Sequence, residues 1–143
     1  MEGIFIKYIN RIIFMLYIAI LLGFALAHKS VLNIVGFYNS DKIFHFLVFY
    51  LGIILLFLGE KKWKSVFFII SLIFLICLPP LIEFFQGLNT YRVSDIEDTI
   101  FGYMGIISGA ITSFVIIILK KLIKNKVDRK KNKSYDPLYK KEN

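Results

Sequence analysis

From Thr99 to Leu119 the chain carries no charged residue. About 20 consecutive, mainly apolar residues are enough for a helix to cross the hydrocarbon core of a bilayer. Three other stretches come close to the same condition. Ile9–Ala27 has Arg11 as its only charge, Ile43–Gly59 includes His45, and Ser65–Phe85 contains Pro79, Pro80 and Glu83. The runs lack strand alternation and are too long for barrel strands, and backbone groups in lipid must be satisfied internally, so the spans should be helices. The sequence therefore predicts an all-α integral membrane bundle of four transmembrane helices over about residues 9–27, 43–59, 65–85 and 99–119.

Composition agrees. The chain is 57% hydrophobic and 20% charged, and its mean hydropathy is +0.69. Soluble domains are nearer 45–50% apolar and about 25% charged, and disordered chains are poor in hydrophobic residues. Both classes are disfavoured. Ala25-Leu26-Ala27 is a poor cleavage site, so the first span is expected to be a membrane helix rather than a removed signal peptide. Cys77 is the single cysteine and is expected to be a buried, inert thiol.

The net charge of +8 is unevenly placed. Residues 120–143 hold ten Lys or Arg and three acids, whereas the preceding residues hold eight bases and seven acids. The expected organisation is a membrane domain over 1–119 and a basic, flexible tail over 120–143. The tail reads as a topology anchor attracted to anionic lipid, and no nucleic-acid fold accompanies it. Lys and Arg favour the cytoplasmic side. With both termini inside, Lys7, Arg11, Lys61, Lys62, Lys64 and the tail bases lie in the cytoplasm, and only Lys29, Lys42 and Arg92 lie outside. N-in/C-in is the expected orientation.

That orientation gathers the unusual polar residues on the outer side. Asp41, Lys42 and His45 open the second span, Glu83 and Gln86 close the third, and Arg92, Ser94, Asp95, Glu97 and Asp98 lead into the fourth. Ionisable groups at membrane depth are costly and mark candidate functional sites. Asp41 and His45 are four apart, and Glu83 and Gln86, like Asp95 and Asp98, are three apart. Each pair shares one helical face. Plainer roles exist for several of them. Ser94-x-x-Glu97 fits a capping box, and acids suit a helix N-terminus. Pro79-Pro80 could kink the third helix one turn before Glu83 and turn it inward, with Arg92 as its counter-charge. Gly105-x-x-x-Gly109 is a small-residue step suited to close helix packing.

Asp41-Lys42-x-x-His45, then Glu83-x-x-Gln86, then Arg92-x-x-Asp95-x-x-Asp98, with Gly105 and Gly109 following, resembles the VanZ-like family of small multi-pass bacterial membrane proteins. The family's founding member is associated with low-level resistance to the glycopeptide teicoplanin. The resemblance covers about residues 41–109. It departs at Gly102, where the family usually has Asn. It implies a protein of the bacterial cell membrane that modulates susceptibility to glycopeptide antibiotics.

Two readings of the cluster follow. As a binding or catalytic site, Asp41 and His45 would form a base and its orienter and Glu83 an acid or second base, with Asp98 a further candidate. Lys42, Gln86, Arg92 and Asp95 would bind the ligand, and Arg92 suits an anionic group. The ligand would be an envelope lipid or a lipid-linked cell-wall intermediate. No cofactor is expected, although His45, Glu83, Asp95 and Asp98 could hold a hard divalent cation. As a scaffold, the same residues would form an ion-pair network that fixes the helix arrangement. A four-span transporter is the weaker third option.

Overall fold

The computed structural model describes residues 2–25, 40–60, 62–88 and 95–135. They form four helices: α1 (Glu2–Ala25), α2 (Ser40–Gly59), α3 (Val66–Gly87) and α4 (Ile96–Tyr135). No strand occurs among the described residues. The protein is an all-α helical bundle, as the apolar runs require. Three helices, α2, α3 and α4, are long and apolar enough to cross a membrane; in α1 the apolar stretch is shorter, Tyr8–Gly23. The chain divides into two units, Met1–Ser113 and Phe114–Asn143.

In the first unit, α2 packs against both α1 and α3. Its buried residues Phe49, Ile53 and Leu56 repeat at helical spacing. They meet Phe14, Ile18 and Leu21 of α1 and Leu75, Leu78 and Ile82 of α3 in one core. The outward faces of these helices are also apolar, with Ile12, Leu16, Leu47, Leu51, Ile69 and Ile73 all exposed. Large apolar side chains on the outside as well as the inside are what a lipid-facing bundle needs and a water-soluble one avoids.

Helix α4 approaches α2 through small residues. A Cβ at Gly105 would overlap the Phe46 carbonyl, and one at Gly109 would overlap Ile53 and the Tyr50 carbonyl. The close packing expected of the Gly105–Gly109 step is present. Gly102 sits between Phe49 and Pro79, where an added Cβ would come within 3.0 and 3.1 Å of their side chains. An Asn there would press on both neighbours. Tyr17 Oη donates to the Val48 carbonyl, and Tyr50 Oη donates to Thr112 Oγ1 at 3.3 Å. Both tie helices together with polar groups that lipid could not satisfy.

Helix α3 starts at the Ser65 cap, whose hydroxyl accepts the Phe68 N–H. It continues through Pro79 and Pro80. Its buried face, Ser71, Leu75, Leu78, Ile82 and Glu83, keeps one helical period across the prolines. That period by itself directs Glu83 and Gln86 inward, so the expected kink is not required to turn them. Cys77 lies off this face and is exposed. The expectation of a buried thiol is corrected: Ile76 and Leu81 nearby are exposed too, and an apolar surround does not distinguish a lipid-facing position from a core one.

The second unit is described by itself, through Tyr135. Residues 118–131 are exposed throughout. Helix α4 runs on through the basic residues to Tyr135. Lys and Arg are good helix formers, and no Gly or Pro occurs between Gly109 and Pro137.

Candidate functional site

Three helices bring polar and ionisable side chains to one end of the first unit. The first turns of α2 supply Asp41, Lys42 and His45, the last turn of α3 supplies Glu83 and Gln86, and the start of α4 supplies Asp95, Glu97 and Asp98. His45 is the hub. Its Nε2 lies 3.5 Å from Glu83 Oε1. Its Nδ1 lies 3.8 Å from both Asp41 Oδ1 and Asp98 Oδ2, and 3.0 Å from the Asp41 main-chain carbonyl. One imidazole therefore faces three carboxylates from three helices.

Burial divides the group into a floor and a mouth. The side chains of His45, Glu83 and Asp98 are only 4%, 6% and 7% exposed, whereas Asp41 is 42% exposed. Gln86 is buried on the same face of α3 as Glu83. Glu83 Oε1 and Asp98 Oδ1 are buried without a hydrogen-bond partner. Such atoms are rare in folded proteins because each carries a desolvation cost.

The surrounding polar residues are engaged in holding the elements together. The Asp95 N–H donates to Glu83 Oε2 at 2.9 Å. Asp95 Oδ1 accepts the Glu97 N–H at 2.9 Å, which makes Asp95 the N-cap of α4. The Asp95 carboxylate also suits the helix dipole; Ser94, the start expected from the capping box, lies outside the described residues. Lys42 Nζ pairs with Glu97 Oε2 and lies 3.8 Å from Asp95 Oδ2. Glu97, an acid in the first turn of α4, is thus also the partner of Lys42.

The candidate catalytic residues Asp41, His45, Glu83 and Asp98 converge. Of the candidate ligand-binding residues, Lys42, Gln86 and Asp95 lie at the cluster, and Arg92 lies outside the described residues. Among the described residues, the group whose donor atoms lie close enough to hold a cation is Asp41, His45 and Asp98, all within 4.8 Å of one another. It differs from the expected set of His45, Glu83, Asp95 and Asp98. Glu83 stands on the other side of the imidazole, and the Asp95 carboxylate is occupied as a cap.

The opposite end of α2 holds an ion pair that sequence reasoning did not find. Arg11 donates through Nε and a terminal nitrogen to Glu60 Oε2, at 2.8 and 2.7 Å. Glu60 is 3% and Arg11 23% exposed. Arg11 also lies over the Phe67 ring, 4.6 Å from its centroid, and Asn10 donates to the Gly59 carbonyl at 3.0 Å. The available signal was the lone charge in the first span. At 1.5 Å rise per residue, Glu60 is about 22 Å along the helix direction from His45, so the two ionic sites occupy opposite ends.

No known protein family, curated protein or solved structure matches this chain.

Proposed function

We infer that the chain is a VanZ-like membrane protein of the bacterial cell envelope, in which the His45 cluster faces away from the cytoplasm and binds or modifies a lipid-linked or peptidoglycan-related ligand. The carrying observation is the convergence of His45, Glu83 and Asp98 from three helices into one buried group. These are the residues of the ordered VanZ-like pattern, distant in sequence and adjacent in space. The orientation rests on the basic residues: Arg11, Lys62 and Lys64 lie at the end remote from the cluster, and most of the remaining bases lie in residues 120–143.

A scaffold made only of ion pairs is the competing reading. The Asp95–Glu83 bond and the Lys42–Glu97 pair fit it. The unpartnered Asp98 Oδ1 does not, because a network retained for stability would satisfy its buried acceptors.

The test replaces His45, Glu83 and Asp98 singly by Gln, Gln and Asn. Membrane abundance and teicoplanin susceptibility are then measured in cells carrying each variant. Normal abundance with a lost effect on susceptibility supports the site. Loss of abundance in every variant overturns it in favour of the scaffold.

A further inference from the structure

The hydrogen bonds around Asp98 leave one buried acceptor over. We propose that Asp98, with Asp41 at the mouth, binds a primary ammonium group of the ligand. The inference deepens the reading above, since it names the chemical group that the same cluster holds.

The donors around Asp98 are already spent. His45 Nδ1 lies 3.0 Å from the Asp41 main-chain carbonyl, which can only accept, so that nitrogen carries a proton and donates it there. The Lys42 ammonium is directed to Glu97 and Asp95. The Asp95 N–H donates to Glu83 Oε2 at 2.9 Å, the Glu97 N–H to Asp95 Oδ1 at 2.9 Å, and the Asp98 N–H to the Asp95 carbonyl at 3.0 Å. Gln86 is engaged as well. Asp98 Oδ1 is left without a hydrogen-bond partner, on a side chain more than nine-tenths buried. An unmatched buried acceptor carries its full desolvation cost, so the group that completes the set must bring donors.

That demand sorts the ligand chemistries. An oxyanion brings only acceptors and would add to the mismatch beside Asp98. A hydroxyl brings one donor together with lone pairs of its own, and the neighbouring donors are committed elsewhere. A quaternary ammonium brings no N–H. A primary ammonium brings three N–H donors and no acceptor, and its bonds to a carboxylate are charge-assisted and therefore among the stronger ones.

Spacing agrees with that choice. One oxygen of Asp41 and one of Asp98 lie within 4.8 Å of each other. Two N–H···O bonds of about 2.9 Å from a single tetrahedral nitrogen span about 4.7 Å, so one nitrogen reaches both carboxylates. Asp41 is 42% exposed and has an interaction of its own. It enters as a second acceptor at the entrance, since a carboxylate offers about four lone-pair sites. Glu83 takes no part, because its oxygens face the Asp95 N–H and His45 Nε2.

A primary ammonium occurs on ethanolamine lipid headgroups and on soluble amines, and the probes separate the two. The full chain is purified in detergent in an amine-free buffer. It is titrated with dioctanoyl phosphatidylethanolamine, with the choline-headed counterpart and with ethanolamine hydrochloride. Calorimetry measures binding, and circular dichroism follows thermal unfolding. The ethanolamine lipid should bind and raise the melting temperature, and the choline lipid should do neither. Binding of the lipid alone identifies a headgroup site, and comparable binding of ethanolamine identifies a site for soluble amines. Asp98→Asn should weaken binding about tenfold or more and abolish the rise, and Cys77→Ser should bind as wild type. Should Asp98→Asn fail to fold, Asp41→Asn at the half-exposed mouth carries the test and should weaken binding in the same direction. Equal binding of the two lipids, no binding of either primary amine to the folded wild type, or binding that the folded Asp variants leave intact overturns the proposal. If the amines do not bind but the His45, Glu83 and Asp98 variants still lose their effect on susceptibility at normal abundance, the ammonium site fails and the functional site stands. If the amines bind through Asp98 and the variants leave susceptibility unchanged, the ammonium site stands and the functional reading fails.

Discussion

The main-chain N–H of Asp95 donates to Glu83 Oε2 at 2.9 Å, and this bond joins the last turn of α3 to the cap of α4. One carboxylate therefore holds the helix start with one oxygen and faces His45 with the other. Glu83 is a positioning residue in this arrangement, coupled to the imidazole on one side and to the α4 backbone on the other.

Replacing Glu83 tests that coupling. Glu83→Gln keeps an acceptor for the Asp95 N–H and should leave thermal stability in detergent close to wild type. Glu83→Ala removes the acceptor and opens a buried space, and should cost about 1–3 kcal/mol. Unfolding monitored by circular dichroism measures both. Equal losses in the two variants would show that the negative charge, rather than the hydrogen bond, stabilises the junction.

The glycines of α4 give a sharper contrast. Gly105→Ala places a methyl group on the Phe46 carbonyl, and backbone cannot yield as a flexible side chain can. A loss of about 1–3 kcal/mol is expected from overpacking. Gly23→Ala, in α1, meets nothing within 4 Å and should be neutral or stabilising by up to about 1 kcal/mol through helix propensity. Melting temperatures of the two variants, measured side by side, check the prediction.

Helix positions were largely legible in the sequence because long apolar runs have few alternatives in lipid. The inward face of Glu83 was also legible, since Leu75, Leu78 and Ile82 set the period that it continues. Other features were not. Cys77 looked buried because its neighbours are apolar, but lipid-facing positions are as apolar as core ones. The cap at Asp95 was not singled out, because by local pattern Asp95, Glu97 and Asp98 all suit a helix start. Arg11 and Glu60 are 49 residues apart, and their pairing follows only from how α1 lies against α2. The cation set shifted for a similar reason: spacing placed Asp95 and Asp98 on one face, while the cap diverted Asp95.

The Arg11–Glu60 pair should behave as a unit. Removing one partner leaves a buried charge, which typically costs about 3–5 kcal/mol in a fully buried pair, and less is expected where Arg11 retains partial exposure. Arg11→Leu and Glu60→Leu should each lower membrane abundance and melting temperature. The double variant should recover part of the loss, because neither charge is then stranded. A double-mutant cycle on the purified variants measures the coupling, and strictly additive losses would show that the two residues stabilise the bundle independently.

Orientation yields the remaining prediction. In the proposed orientation the basic residues face the cytoplasm, and a label placed between α3 and α4 is expected to be reached from outside. Cys77 is exposed on α3, so a Cys77→Ser background is needed first. In that background, Thr90→Cys should react with a membrane-impermeant maleimide in intact cells, and Ser134→Cys should react only after permeabilisation. The reverse pattern would put the His45 cluster in the cytoplasm. An external envelope ligand would then be excluded for the cluster.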